Sequence, residues 1–249
     1  MEERRRAIVQ LVDELGSVTL AQLRERFPDV SDVTLRSDLK ALDRERRLVR
    51  TYGGARSASW LVGSDGMLDE RRSRNVGAKR AVAEKAAGLV RPNTTIYIDS
   101  GSTATALAAA LPDIEALVVT SSLPCANELA RKAHVRCIVP GGRLNPRSMC
   151  LAGAATVRAL EGLFFDQAFL AVGGIDEDGS LTCGSDEDAA VKRTFVERAE
   201  QVVVLADSSK FGLRRPFAVC GLDDVDVLVC DDAPDELARA CAAHDVELV

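Results

Sequence analysis

Apolar positions in the first 57 residues recur at helical spacing, whereas beyond residue 77 they gather into short unbroken runs. Ile8, Val9, Leu11, Val12 and Leu15 have helical spacing, and Gly16 ends that helix. Thr19 is placed to cap a second short helix carrying Leu20, Leu23 and Phe27. Pro28-Asp29 signals a turn, and Ser31 then caps a third helix running from Val33 to Leu42. Leu35, Leu39 and Leu42 share one face of it; Thr34, Ser37, Lys40 and Ala41 fall off that face, with Arg36 flanking them. Leu48 to Ala55 reads as a short alternating strand closing on Gly53-Gly54, as a β-hairpin would.

Three short helices and a hairpin over residues 1–57 predict a winged helix-turn-helix. A helix fits the major groove, where short polar and basic side chains reach base edges and phosphates. Ser31, Thr34, Arg36, Ser37 and Lys40 on the third helix, and Arg50 and Tyr52 on the wing, are the candidate DNA contacts. A small helical domain used for protein contacts or dimerisation fits the same pattern. Charge changes the balance. Residues 1–57 carry a net +2 while the whole chain is −6, and residues 36–56 hold seven bases against Asp38, Asp43 and Glu45. One locally basic segment in an acidic chain points to an anionic partner for that segment.

Residues 58–76 are polar and turn-rich and read as a connector. Over 77–249, helices alternate with apolar strands at 95–98, 117–119, 135–139, 168–172, 202–205 and 227–229. Continuous apolar strands alternating with helices predict an α/β domain, a mostly parallel sheet covered by helices on both faces. Such sheets bind ligands in loops beyond the carboxyl ends of their strands. Five such loops carry glycines, hydroxyls or charges: Asp99-Ser100-Gly101-Ser102-Thr103, Thr120-Ser121-Ser122, Pro140-Gly141-Gly142-Arg143, Gly173-Gly174-Ile175-Asp176 and Ala206 to Gly212. In the first of them, small residues at a strand-to-helix turn free backbone amides for an anion. It is neither a Walker loop nor a dinucleotide loop. One pocket explains all five together, with Arg143 and Lys210 as cations for an anionic ligand.

The 249 residues, 47% hydrophobic, suffice for a small domain and one of ordinary size. The seven cysteines form no Cys-x-x-Cys and the two histidines stand apart from them, so reduced, mostly buried thiols are expected, with no metal site and no cofactor. The first residues show no secretory signal and no apolar run approaches the roughly 18 residues needed to cross a bilayer, which leads us to expect a cytoplasmic protein.

In order and spacing the chain resembles the DeoR-type bacterial repressors. The resemblance is carried by Val30-Ser31, Thr34-Leu35-Arg36-Ser37-Asp38-Leu39, Gly53-Gly54-Ala55, the Asp99–Thr103 loop, Gly141-Gly142-Arg143, Gly173-Gly174-Ile175-Asp176, Ala189-Ala190-Val191-Lys192-Arg193 and Ala206-Asp207-Ser208-Ser209-Lys210-Phe211. It implies a homo-oligomer whose sensor resembles ribose-5-phosphate isomerase and binds a phosphorylated sugar or similar metabolite. On that footing Asp99 and Asp176 would accept hydrogen bonds from sugar hydroxyls, and Lys192 would close the pocket. Two features depart from the family pattern: Ser37 stands where a second arginine is usual, and Pro28-Asp29 where a single glycine is common. The resemblance also supplies the alternative, an isomerase-like enzyme needing a carboxylate base, for which Asp176, Glu187 and Asp188 are candidates by position.

Overall fold

The computed structural model describes residues 2–15, 17–28, 30–45, 47–51, 53–57 and 67–249. The chain divides into two compact units, Met1–Asp65 and Gly66–Val249.

In the first unit α1 (Glu2–Leu15), β1 (Ser17–Thr19), α2 (Leu20–Arg26), α3 (Asp32–Arg44), β2 (Leu48–Thr51) and β3 (Gly54–Ser57) follow one another. The three strands form one antiparallel sheet in the order β1-β3-β2. The expected caps are in place. Thr19 and Gln22 satisfy each other's backbone amides, and the Ser31 side chain accepts from the Thr34 amide. Ile8, Val12, Leu23, Leu35, Leu39, Leu42, Leu48 and Ala55 fill a single core, each burying the face that its spacing marks out. The double glycine divides its work: Gly53 has φ +95°, and a Cβ on Gly54 would sit 2.0 Å from the Val18 carbonyl oxygen.

The second unit begins with α4 (Leu68–Ser73) and α5 (Val76–Ala87). Residues 67–76, expected in the connector, therefore fold with the second unit: Leu68 is buried, and its amide donates to the Arg147 carbonyl at 2.9 Å. Residues 58–66 lie outside the described residues. Then come β4 (Thr95–Ile98), α6 (Ser102–Ala110), β5 (Ala116–Val119), α7 (Leu123–Leu129), β6 (Val135–Ile138), β7 (Arg143–Asn145), β8 (Cys150–Ala152) and α8 (Ala154–Glu161). The remainder is β9 (Gln167–Ala171), β10 (Gly174–Ile175), β11 (Ser180–Cys183), α9 (Asp186–Val196), β12 (Val202–Leu205), β13 (Phe217–Gly221), β14 (Val227–Val229), α10 (Asp235–Ala243) and β15 (Glu247–Leu248).

Seven strands form one sheet in the order β15-β14-β12-β9-β4-β5-β6, and every pairing in it is parallel. Alternate residues of each strand feed two cores. Tyr97, Ala168, Leu170, Val202 and Val204 pack with Leu160 of α8, Phe195 of α9 and Leu237 of α10. Ile96, Ile98, Phe169, Val203 and Leu205 pack with Val82 of α5, Leu107 of α6 and Leu129 of α7. Helices on both faces are the reason the strands read as unbroken apolar runs. A hairpin, β7–β8, and a small antiparallel sheet, β10-β11-β13, were not anticipated.

Candidate functional site

Two regions collect the predicted chemistry, one in each unit. In the first, α3 is fixed from behind. Asp38 is buried, and its carboxylate accepts from Arg4 Nε at 2.6 Å and Arg5 Nε at 2.9 Å, both on α1. Burial works to raise the Asp38 pKa, but the hydrogen bonds from Arg4 and Arg5 outweigh it and hold the carboxyl below its ordinary value. Asp38 therefore contributes no unpaired negative charge to the helix, although it counts as an acid in the sequence. The opposite face carries Val33, Arg36, Ser37, Lys40 and Arg44, all exposed and spaced at three- and four-residue intervals. Ser31 is exposed beside them as the cap. Thr34 is different: it is half-buried and its hydroxyl lies 2.9 Å from Ser31 Oγ, so it serves the cap. Arg50 is exposed on β2, opposite Ala55 of β3, and its amide donates to Asp43 at 3.0 Å. Tyr52 lies outside the described residues.

In the second unit the order of the sheet sets the site. From β4 the chain builds outward through β5 and β6, then returns to the other side of β4 and builds β9, β12, β14 and β15. The carboxyl ends of β4 and β9 thus flank the point where the winding reverses, the usual place for a ligand in such a sheet. The loop leaving β4 is Asp99–Gly101. Gly101 has φ +117° and stands at the cap position of α6, which no side chain caps. The first bond of the helix runs from the Thr105 amide to the Gly101 carbonyl at 2.9 Å. The amides of Ser102, Thr103 and Ala104 are left without a helical acceptor, at the positive end of the helix.

Around that turn most of the predicted residues are engaged with one another. Asp99 accepts from the Ser100 amide at 2.7 Å, from the Ala171 amide at 2.9 Å and from the buried Lys192 ammonium. Three of its roughly four acceptor sites are filled from within the fold, which leaves Oδ1 one site for the expected hydrogen bonds to sugar hydroxyls. Lys192 also donates to the Ala171 carbonyl at 3.0 Å and lies 3.6 Å from Asp188. Burial disfavours the Lys192 charge, but Asp188 and Asp99 more than offset it, so its pKa lies above the ordinary lysine value and it stays a cation. Lys192 thus bolts α9 to the ends of β4 and β9. Ser121 accepts from the buried Tyr97 hydroxyl at 3.0 Å. Arg143 is exposed and paired with Glu187 on α9.

Two of the glycines have packing roles. A Cβ on Gly142 would sit 2.0 Å from Thr156 Oγ1, and one on Gly174 would sit 2.2 Å from the Leu213 carbonyl oxygen. Asp176 uses Oδ1 to accept from the Asp178 and Ser180 amides at 3.1 and 2.8 Å; its buried Oδ2 receives no hydrogen bond, with Arg214 Nε 3.4 Å away.

The fifth loop forms a second cluster that sequence reasoning missed. Asp207 is buried; Oδ1 accepts from Asn75 Nδ2 at 3.3 Å and the Ser209 amide at 3.2 Å, while Oδ2 receives no hydrogen bond. Asn75 also donates to Ser209 Oγ at 3.1 Å. Lys79 is buried and donates to the Arg71 and Arg74 carbonyls at 2.5 and 2.6 Å. Burial, with the charge of Lys210 adding, pushes Lys79 down to about 8. Lys210 itself is half-buried. Asn75 was legible only as one more polar residue of the connector, and nothing local marks Lys79.

All seven thiols are free. Among the described residues no group of three or more His, Cys, Asp or Glu is placed to hold a metal ion, and no helix is long and apolar enough to cross a membrane.

Comparison with known proteins gives these sites a context. Residues 4–60 match the DeoR-like helix-turn-helix domain, and residues 74–232 match the DeoR C terminal sensor domain. The L-fucose operon activator of Haemophilus influenzae is 32% identical over 251 residues, covering 100% of each chain. The glycerol-3-phosphate regulon repressor of Escherichia coli is 31% identical over 99% of this chain and 97% of its own. Among solved structures, eIF2B beta from Chaetomium thermophilum aligns with a TM-score of 0.51 at 14% identity, over 96% of this chain and 83% of that one, a likeness of fold alone. Both relatives are regulators of operons, so the isomerase alternative gives way to regulation. Two family domains in order, and relatives that match from end to end, establish that the chain belongs to the DeoR family of DNA-binding transcriptional regulators.

Proposed function

We propose that the chain acts as a cytoplasmic, homo-oligomeric repressor that reads its operator with α3 and is controlled by a phosphorylated sugar or polyol bound at the carboxyl edge of the seven-stranded sheet. The observation that carries the effector reading is the uncapped amino end of α6 at the reversal of the sheet, where three amides await an anion. Glycerol-3-phosphate in the name of one relative is of the same chemical class. The phosphate sits on the amides of Ser102 and Thr103, with Ser100 and Gly101 forming the turn beneath it, and Lys210 supplies the countercharge. Asp176 and Asp207 each keep one buried oxygen that receives no hydrogen bond, and these are the acceptors for effector hydroxyls. On the DNA side, Arg36 and Lys40 contact bases and phosphates, Ser31 and Ser37 flank them, and Arg50 with Tyr52 reaches the backbone from the wing. Paired recognition helices require an oligomer, with half-sites about one helical turn or a multiple apart.

The test is a thermal-shift screen of sugar and polyol phosphates on the full chain, repeated on Lys210→Ala and Gly101→Asp. A ligand at 100 times its Kd raises folding stability by about 2.7 kcal/mol. The expected outcome is a stabilising phosphorylated ligand whose shift disappears in both variants, while ligand-free operator binding is retained. If both variants still respond at the wild-type concentration, the site is not at the amino end of α6.

A further inference from the structure

Val33 is 78% exposed, and among the side chains of the first unit whose exposure is described it is the only large hydrophobic one left exposed. Burial does not account for it. Neither does helix propensity, because a β-branched side chain is a poor choice for a solvent-facing helical position. It is the second residue of α3, one turn ahead of Arg36 and Ser37 and two turns ahead of Lys40, on the same exposed face. The neighbouring acid, Asp32, is paired with Arg24, so its carboxylate is not left free beside Val33 to repel a phosphate backbone. A lone apolar side chain at the amino end of a recognition helix, followed on the same face by two cations, matches the one apolar group that the major groove displays, the 5-methyl of thymine.

We propose that Val33 is a specificity-determining residue that packs against a thymine 5-methyl group in each operator half-site. The inference rests on the reading of α3 as the recognition helix. It explains how the chain gains sequence discrimination although Ser37 stands where a second arginine is usual in the family. The methyl contact selects thymine over cytosine at one position without a hydrogen bond, and Arg36 and Lys40 supply attraction.

The experiment uses the full chain and a duplex selected by it from a randomised pool. Each thymine in the selected duplex is replaced in turn by deoxyuridine, which removes only the methyl group, and Kd is measured for the wild type, Val33→Ala and Val33→Thr. Burying one methyl-sized group is worth about 0.8 kcal/mol, or roughly fourfold in Kd at RT of about 0.59 kcal/mol. In the wild type, replacing the contacted thymine of a single half-site by deoxyuridine should weaken binding about fourfold. In Val33→Ala that penalty should vanish, and Val33→Thr, which keeps one methyl, should restore part of it. Val33→Ala should melt with the wild type, since it removes no buried contact. Equal deoxyuridine penalties in Val33→Ala and the wild type, or no penalty at any thymine in the wild type, would overturn the inference. A change in sedimentation of Val33→Ala with unchanged deoxyuridine penalties would overturn it too, and would assign the side chain to a protein contact. Arg36→Ala and Lys40→Ala separate the two levels. If both bind as the wild type does, α3 is not the reading helix; if both weaken while the penalties persist in Val33→Ala, only the role of Val33 fails.

Discussion

The outward face of α3 and the carboxyl edge of the seven-stranded sheet are both rich in charge, but they use it in opposite ways. On α3, Arg36, Lys40 and Arg44 point into solvent; of the two acids that fall among them in sequence, Asp38 is turned inward and neutralised by Arg4 and Arg5, and Asp43 accepts from the Arg50 amide. At the sheet edge the residues with the most suggestive chemistry, Asp99 and Lys192, are buried against each other and hold α9 to the strands. On the proposed function, what remains for a ligand is mainly backbone, the amides at the start of α6, together with Lys210 and the two carboxylates that each keep one oxygen without a hydrogen bond. A surface that reads a long polyanion leaves its cations outside. The sheet edge ties its most buried charges to one another.

The sharpest way to break this comparison is to remove the bolt. Lys192→Ala strands a buried Asp99 carboxylate, and losing one partner of a buried pair destabilises by about 3–5 kcal/mol. We expect a clear fall in the urea midpoint of the sensor. A Lys192→Ala sensor as stable as the wild type would mean that the pair is a ligand site rather than a structural one.

Asp38→Ala is the counterpart in the first unit. It leaves Arg4 and Arg5 without their acceptor, but both guanidinium groups reach water, so the expected loss of stability is smaller, about 1–3 kcal/mol. Operator affinity should fall although Asp38 touches no DNA, because α3 loses its anchor to α1. If stability falls while affinity holds, the clamp is not what orients α3. The same clamp has a pH signature. The folded pKa of Asp38 lies below the unfolded one, so its contribution is complete above about pH 4 and fades as the pH falls through the folded value.

The smallest expected effect concerns Lys79. Its folded pKa, about 8, lies below the unfolded value of about 10.4, so the charged form is penalised in the fold, and the penalty lifts as the pH rises from 8 toward 10. A phosphorylated effector held near Lys210 would push Lys79 back up. Binding at pH 8 should then take up part of a proton, seen as a buffer-dependent calorimetric enthalpy, and affinity should weaken above pH 8. Lys79→Met should lose both effects; if it does not, the proton comes from elsewhere.

The legibility of the two units follows from how far apart their partners lie in the chain. Leu35, Leu39 and Leu42 announce α3, and Ser31 announces its start, because caps and faces are local features. The parallel strands were legible for the same reason, being buried on both faces. The hairpin at 143–152 and the small sheet β10-β11-β13 were not, since strands as short as Gly174–Ile175 carry too few residues for a period. Helix α4 was hidden in a polar run whose one buried apolar anchor is Leu68. The glycine and hydroxyl loops do follow the carboxyl ends of the strands, but their residue types do not tell which members are spoken for. Asp99 and Lys192 are 93 residues apart, Asp38 and Arg4 are 34 apart, and no spacing rule connects them. Helical angle alone groups Thr34 with the groove-facing residues and gives no sign that its hydroxyl lies 2.9 Å from Ser31 Oγ at the cap.

Every cysteine of the chain lies between residues 125 and 241, within the second unit, and five of the seven are fully buried. The molecule is therefore supplied with its own stopwatch. A slow thiol-reactive dye can reach Cys125, Cys150, Cys183, Cys230 and Cys241 only when the sensor opens, so the labelling rate counts those openings. The first unit contributes no background, since it contains no thiol. The same reading can be taken on the full chain while it is seated on DNA, with and without an effector, and it would time how ligand occupancy stills the sensor without altering a single residue.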